Sequence, residues 1–362
     1  MRNLLVYLLL LTAPLLACPF CNPGESDVFS DVSGAQAVVL VKKVDTRKYK
    51  ILESWHGQAK VGRIVVAAEP QGKLGKSGQL LLTTAGPPNL PYWSDAPRVL
   101  NAKELEFAGQ ALEMRGAGET KQWDFAAKHL QSESGEIAAA AYNLLAAAPL
   151  KEVQKRAGIV GAEKLHGWAK DHSIAEERRA LYLLMSYREL PSGARGWLEK
   201  ELFSPRLAPS SPLLGPLTVA YCHLSGSPSI LRIQSAFYKP DFPAGRVTPV
   251  NRALTLVGEQ TKNENLKNAI IGLFKRELEH PQRGAFVLAP LAMWGDDSAS
   301  QDVEKLMEKN RSITWVKVAV IRFFRSFDNP RARAALSRLE KLDPTLVKRT
   351  TDGYRRSDLG ID

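Results

Sequence analysis

Ile313-Thr314-Trp315-Val316-Lys317-Val318-Ala319-Val320-Ile321-Arg322-Phe323-Phe324-Arg325-Ser326-Phe327 is the stretch from which the larger part of the fold can be read. Ile313, Val316, Val320, Phe323 and Phe327 recur at helical spacing, and Trp315, Val318 and Ala319 make a second apolar face. A helix that is apolar on two sides is sandwiched between neighbours. Asn329-Pro330 then supplies an N-cap and a favoured first helical residue, opening a helix with Ala332, Ala335, Leu336 and Leu339 on one side. The unit is a helical hairpin with a short turn.

The same shape recurs toward the N-terminus. Gly284 to Trp294 precedes Asp297 to Lys309, Val247 to Gln260 precedes Asn265 to His280, and Leu213 to Leu224 precedes Pro228 to Tyr238. Glu176 to Arg188 before Pro191 to Phe203 is one more, and Ile137 to Leu145 with the helix around Glu163 to Lys170 starts the array. First helices begin roughly 30 to 40 residues apart, the period of helical-hairpin repeats, and in this the segment 98–343 resembles HEAT-like arrays. An α-solenoid of that kind buries a continuous core between hairpins and leaves one concave face for partners. Trp168, Trp197, Trp294 and Trp315 fall in this region and either pack in its core or line a groove. Trp294 and Trp315, with the cations Arg322 and Arg325, are the candidate binding residues.

Upstream of Ala102 the pattern changes. Ala35 to Val41, Tyr49 to Trp55, Arg63 to Ala68 and Gln79 to Thr84 read as short strands, punctuated by Gly57, Gly62, Gly72, Gly75 and Gly78. With fewer than about 80 residues available, a compact barrel is the economical closure. Gly86 to Pro97 is dense in proline and continues neither a helix nor a central strand, so it reads as the connection that ends a β domain over 18–97.

Ahead of the strands, Met1-Arg2 and the apolar run Leu4 to Leu16 form an export signal over 1–17, too short to span a bilayer comfortably. Leu15-Leu16-Ala17-Cys18 suits ordinary signal peptidase and also resembles a lipoprotein box, to which Leu16 is a poor fit. Cleavage alone releases the protein; diacylation of Cys18 would hold it on a membrane. The cysteines are Cys18, Cys21 and Cys222. Export meets an oxidising setting, and Cys222 lies in an apolar helical pattern, so Cys18 to Cys21 is the bridge unless lipid takes Cys18.

The cysteine pair followed by Ala35-Gln36-Ala37-Val38-Val39-Leu40-Val41, then Tyr49 to Gly57, then Gly75 to Leu82, resembles the netrin-like domain, the family of the tissue inhibitors of metalloproteinases. The resemblance implies an OB-type barrel against which the N-terminal cysteine segment packs. In inhibitors of that family a free N-terminal cysteine chelates the protease zinc, and here Cys18 matches that position. The whole chain also looks like exported bacterial proteins that begin Cys-Pro-Phe-Cys and add a helical-repeat region.

Other chemistry finds little support. Cys18-Pro19-Phe20-Cys21 has redox spacing, yet no strand precedes it and Pro23-Gly24 interrupts a following helix, the context that lowers a thiol pKa. Pro70 to Ser77 mimics a phosphate loop, but Pro70 stands where the first glycine belongs and a strand follows, so it reads as a hairpin loop. The six histidines are scattered without metal-ligand spacing, so neither metal nor cofactor is expected. Glu176-Glu177-Arg178-Arg179 reads as a salt-bridged face. The formal charge is +11, and losing Arg2 leaves 48 basic against 38 acidic residues, or +10. After export that balance favours an anionic polymer or headgroups over nucleic acid. Lys348-Arg349 and Arg355-Arg356 mark a basic, flexible tail over 344–362.

The sequence therefore predicts a small OB or netrin-like barrel followed by a HEAT-like solenoid, exported and not an enzyme. It would bind a protein or an anionic polymer at the cell envelope, and touch membrane only if Cys18 is lipidated. The alternatives are a thiol-disulfide couple at Cys18 and Cys21, and a netrin-like protease inhibitor.

Overall fold

A computed structural model of the chain describes residues 18–24, 27–70, 79–85, 92–93, 96–239, 242 and 244–358. The leader at 1–17, the glycine-rich part of the phosphate-loop mimic at 71–77 and the proline-rich stretch 86–91 lie outside the described residues. Those described form two compact units, Leu16–Gly161 and Ala162–Asp362.

The first unit is built on an antiparallel six-stranded sheet that coils into a near-barrel: β1 (Val38–Asp45), β2 (Lys48–His56), β3 (Ile64–Val66), β4 (Gln79–Ala85), β5 (Tyr92–Trp93) and β6 (Arg98–Leu100). The strand order is β3-β2-β1-β4-β5, with β6 also on β4. β4 pairs with β1 while β3 pairs with β2, so β3 and β4 are not the hairpin partners that the glycine spacing suggests. The run Val38-Val39-Leu40-Val41 is apolar without alternation because both of its faces are covered. Val39 and Val41 join Tyr49, Ile51, Val65, Leu80 and Leu82 inside the coiled sheet, where the Tyr49 hydroxyl donates to the Ala68 carbonyl at 2.9 Å.

Val38 and Leu40 face the other way, onto helices. They pack with Val28, Phe29 and Val32 of α1 (Val28–Gly34), Phe107 and Ala108 of α2 (Ala102–Glu113), and Ile137 and Ala140 of α4 (Gly135–Ala146). α3 is Glu119–His129, and α5 (Leu150–Lys155) and α6 (Ala157–Val160) complete the unit. Strand character ends at Leu100, close to where the prolines mark a connection, but the core does not end there. Helices α1, α2 and α4 cap the open face of the sheet, so the compact unit runs on to Gly161.

The second unit is helical throughout its described residues: α7 (Ala162–Lys170), α8 (Glu176–Ser186), α9 (Ala194–Leu202), α10 (Leu214–Ser225), α11 (Pro228–Phe237), α12 (Ala244–Gln260), α13 (Glu264–Glu277), α14 (Leu288–Met293), α15 (Ser300–Lys309), α16 (Thr314–Arg325), α17 (Pro330–Leu342) and α18 (Pro344–Asp358). Short 3-10 turns lead into α14 and α15. The hairpins stack in two layers: α8 on α10, α10 on α12 and α14 on α16 in one, α11 on α13 and α15 on α17 in the other. As its two apolar faces require, α16 touches both α14 and α17.

The described part of the segment after Pro344 is helical. Asp343 accepts from the Leu346 amide at 3.1 Å, Pro344 opens α18, and that helix continues through Asp358 with Thr350 buried against its neighbours. Its ordering comes from packing on α16 and α17.

Candidate functional site

At the N-terminus Cys18 and Cys21 form a disulfide with Cα atoms 5.2 Å apart. Cys18 is buried, and three hydrogen bonds hold the segment after it on α4. The Tyr142 hydroxyl donates to the Asn22 carbonyl at 3.4 Å, the Gly24 amide donates to Asn143 Oδ1 at 2.8 Å, and Asn143 Nδ2 donates to Asp27 Oδ2 at 2.9 Å. With both sulfurs engaged, lipidation at Cys18 would have to displace this bridge. Cys222 is buried in α10, and that burial pushes its thiol up to about 12, so it stays protonated and unreactive.

The four residues singled out in the repeats do not form one group. Trp294 is half-buried, stacked on Phe274 with centroids 5.7 Å apart and rings parallel within 1°. It lies directly over Gly258, where a Cβ would come within 2.4 Å of its ring. Trp315 is exposed and stacks on exposed Phe286 at 5.1 Å, and Arg322 lies seven residues on, on the same face of α16. Arg325 is tied to the Thr351 hydroxyl of α18. Trp168 and Trp197 are half-buried, against Tyr182 at 5.4 Å and His166 at 5.4 Å.

A different set of residues converges. Three parts of the stack meet at a cavity of about 380 Å³: the 3-10 turn Tyr187–Glu189 that ends α8, the last turns of α10, and the turn between α12 and α13. Its floor is apolar, from Val219, Leu256, Val257 and Leu266, all buried. Its mouth is polar and cationic, from Arg188, His223, Gln260, Lys262 and Asn263. Val219 and His223 are four apart on α10 and so face the same way.

These polar groups are held in place. The buried Tyr187 ring sits edge-on to His223 at 5.3 Å, and its hydroxyl donates to Gln260 Oε1 at 2.7 Å. Arg188 lies over the Tyr187 ring at 5.6 Å, donates from Nε to the Tyr187 hydroxyl at 3.1 Å, and from Nη2 to Gln260 Oε1 at 2.8 Å. Asn263 caps α13 by accepting from the Leu266 amide, and its own amide donates to Thr261 Oγ1 at 3.1 Å. Crowding by these neighbours, and then the Arg188 charge, lower the His223 pKa, partly offset by a hydrogen bond to the Arg188 backbone. The imidazole is therefore neutral near pH 7, with both donor and acceptor character.

No carboxylate lines the cavity among the described residues, so Arg188 and Lys262 set a positive potential over an apolar floor. The arrangement suits an organic anion or the acidic side chain of a larger partner. Sequence reasoning did not single it out, because Arg188, Gln260 and Lys262 are turn residues with no period of their own; only the stacking of three hairpins brings them together. No protein-family model, curated protein or solved structure matches the chain.

Proposed function

We propose that this is an exported, non-enzymatic binding protein of the bacterial cell envelope, in which an OB or netrin-like near-barrel precedes a HEAT-like stack that holds the partner. The partner is a protein or polymer that presents carboxylate or similar anionic groups. The observation that carries this reading is the cavity mouth, where Arg188, Lys262, His223 and Gln260 converge without a carboxylate partner over an apolar floor. The layered packing of first helices on first helices and second on second supports the repeat assignment. The Cys18–Cys21 bridge is a staple for the N-terminal segment, in keeping with its burial and its anchoring on Asn143.

Fluorescence anisotropy with a dye-labelled hexaglutamate peptide tests the proposal. The protein is expected to bind it with an affinity that falls as salt rises. The double substitution Arg188→Gln, Lys262→Gln should weaken binding about tenfold or more per side chain. Cys18→Ser, Cys21→Ser should leave the affinity unchanged. The redox and inhibitor readings place the activity at Cys18 and call for no hexaglutamate affinity that depends on Arg188 and Lys262.

A further inference from the structure

The near-barrel carries a second surface, independent of the cavity. Helices α1 and α2 cover the outer face of the sheet at Val38 and Leu40, and the remainder of that face is open: β1 is buried from Val38 to Val41 and exposed from Lys42 to Asp45. In the open part the ladder sets Lys42 beside Lys50 and Lys50 beside Ile64, one transverse row across three strands. The adjacent row sets Lys48 beside Val66. Directly opposed residues of an antiparallel ladder point to the same side, so each row presents a single mixed surface.

Two lysines directly opposed repel each other. Lys43 is relieved by Glu69 at 2.6 Å and Lys48 by Asp45 at 3.1 Å, but Lys42 and Lys50 have no carboxylate partner among the described residues. The apolar component is equally uncovered: Val44, Leu52, Ile64 and Val66 are 47% to 63% exposed. Leu52 continues the alternation of Lys48 and Lys50 on the outward side of β2. Arg47, Lys60 and Arg63 add further charge, and across 42–66 the acidic residues are only Asp45 and Glu53. An exposed edge strand such as β3 bearing Ile64 and Val66 is a liability in water unless something covers it.

We infer that this face rests on an anionic phospholipid surface. A docked partner must offer negative groups and apolar matter within one side-chain row of each other, all across three strands. A lipid interface does so in every register: lysines reach headgroup phosphates while Leu52, Ile64 and Val66 enter the acyl boundary. Membrane contact on this reading needs no lipid on Cys18.

The test is vesicle co-sedimentation of the chain produced from Cys18 onward, so that neither leader nor acyl chain contributes. Vesicles of equal parts phosphatidylglycerol and phosphatidylcholine are compared with phosphatidylcholine alone. Partition onto the anionic vesicles is expected, weakened about thirtyfold by Lys42→Gln, Lys50→Gln, and weakened again by Ile64→Ser, Val66→Ser at unchanged melting temperature. Arg188→Gln, Lys262→Gln should have no effect, which separates this surface from the cavity. Equal partition onto neutral vesicles, absence of partition, or wild-type partition of the Lys42→Gln, Lys50→Gln variant overturns the inference. So does concentration-dependent dimerisation without vesicle binding, which would assign the β3 edge to a second chain.

Discussion

Replacing Arg283 by methionine is expected to cost about 3–5 kcal/mol of stability in the second unit. Arg283 is buried in the turn after α13, with Nε 2.9 Å from Glu277 Oε2 and Nη2 3.3 Å from Glu277 Oε1, and Glu277 is buried as well. The Nε approach is an ion pair without hydrogen-bond alignment, since neither that nitrogen nor Oε2 finds a hydrogen-bond partner. Arg283 also donates from Nη1 to the carbonyls of Lys239 at 2.8 Å and Phe242 at 3.3 Å, fixing the chain between α11 and α12. Removing it leaves a buried carboxylate uncompensated and takes one donor from each of two carbonyls, of which that of Lys239 keeps the Phe242 amide at 3.1 Å. Double replacement, Arg283→Met with Glu277→Leu, should recover most of the loss, because an apolar pair needs no compensation.

The loss should depend on pH, and its sign follows from Glu277. Burial raises the Glu277 pKa, while the charge and hydrogen bond of Arg283 pull it down without cancelling that rise. A carboxyl whose folded pKa is above its unfolded value near 4.3 binds its proton more tightly in the native state, so its contribution worsens as pH rises through that window. Without Arg283 the window widens. Urea unfolding of the Arg283→Met variant should therefore show a smaller deficit at about pH 5 than at about pH 7.5. A deficit equal at both would mean that Glu277 does not carry the cost.

Gly57→Ala is expected to cost about 2–4 kcal/mol in the first unit, by two mechanisms that a control separates. Gly57 ends the β2 strand at φ +82°, and a Cβ there would meet the Gln36 carbonyl oxygen at 2.4 Å and the Ala37 Cα at 2.9 Å. Backbone atoms cannot rotate away, so the entry to β1 must shift. Gly62 has a similar φ, +86°, with nothing within 4 Å of its would-be Cβ. Gly62→Ala should therefore cost only the left-handed backbone term, about 1–2 kcal/mol. The difference between the two midpoints in urea, followed by the NMR amide signals of Val38 to Val41, measures the close approach itself.

Strands β1, β2 and β4, the run Arg63 to Ala68 that holds β3, and the hairpins of the second unit were legible because each announces itself by local pattern. The valine-rich run at 38–41 is a strand buried on both sides, and the two apolar faces of 313–327 are a helix between helices. Less was legible where tertiary contacts decide. The short helix α1 begins at a capping box of Asp27 and Ser30 inside seven residues, and β5 and β6 are two and three residues long, too brief to show any period. The order of strands was hidden because glycine spacing near Pro70 suggests a tight return, whereas β4 pairs with β1. The extent of the first unit was hidden too: proline density marks where strands stop, not where the shared core of Leu40, Leu100 and Phe107 stops.

The cavity was less legible still. Tryptophans drew the eye in sequence, but Trp294 fills the space over Gly258, and Trp315 shares a surface with Arg322 alone among the residues singled out. The groups that converge at the cavity come from turns far apart in the chain; the Tyr187–Gln260 hydrogen bond alone spans 73 residues.

The measurement that tests the central claim most directly is an NMR titration of the histidine ring signals with hexaglutamate, with His223 assigned through His223→Gln. The chain has six histidines, and His223 alone lines the cavity. Its pKa is lowered by crowding and by the Arg188 charge, so an anion seated between Arg188 and Lys262 should move its signal at low ligand concentration and raise its pKa. The account predicts that shift at His223, lost in the Arg188→Gln, Lys262→Gln variant. Binding that leaves His223 unmoved, or that shifts other histidines in its place, would contradict it.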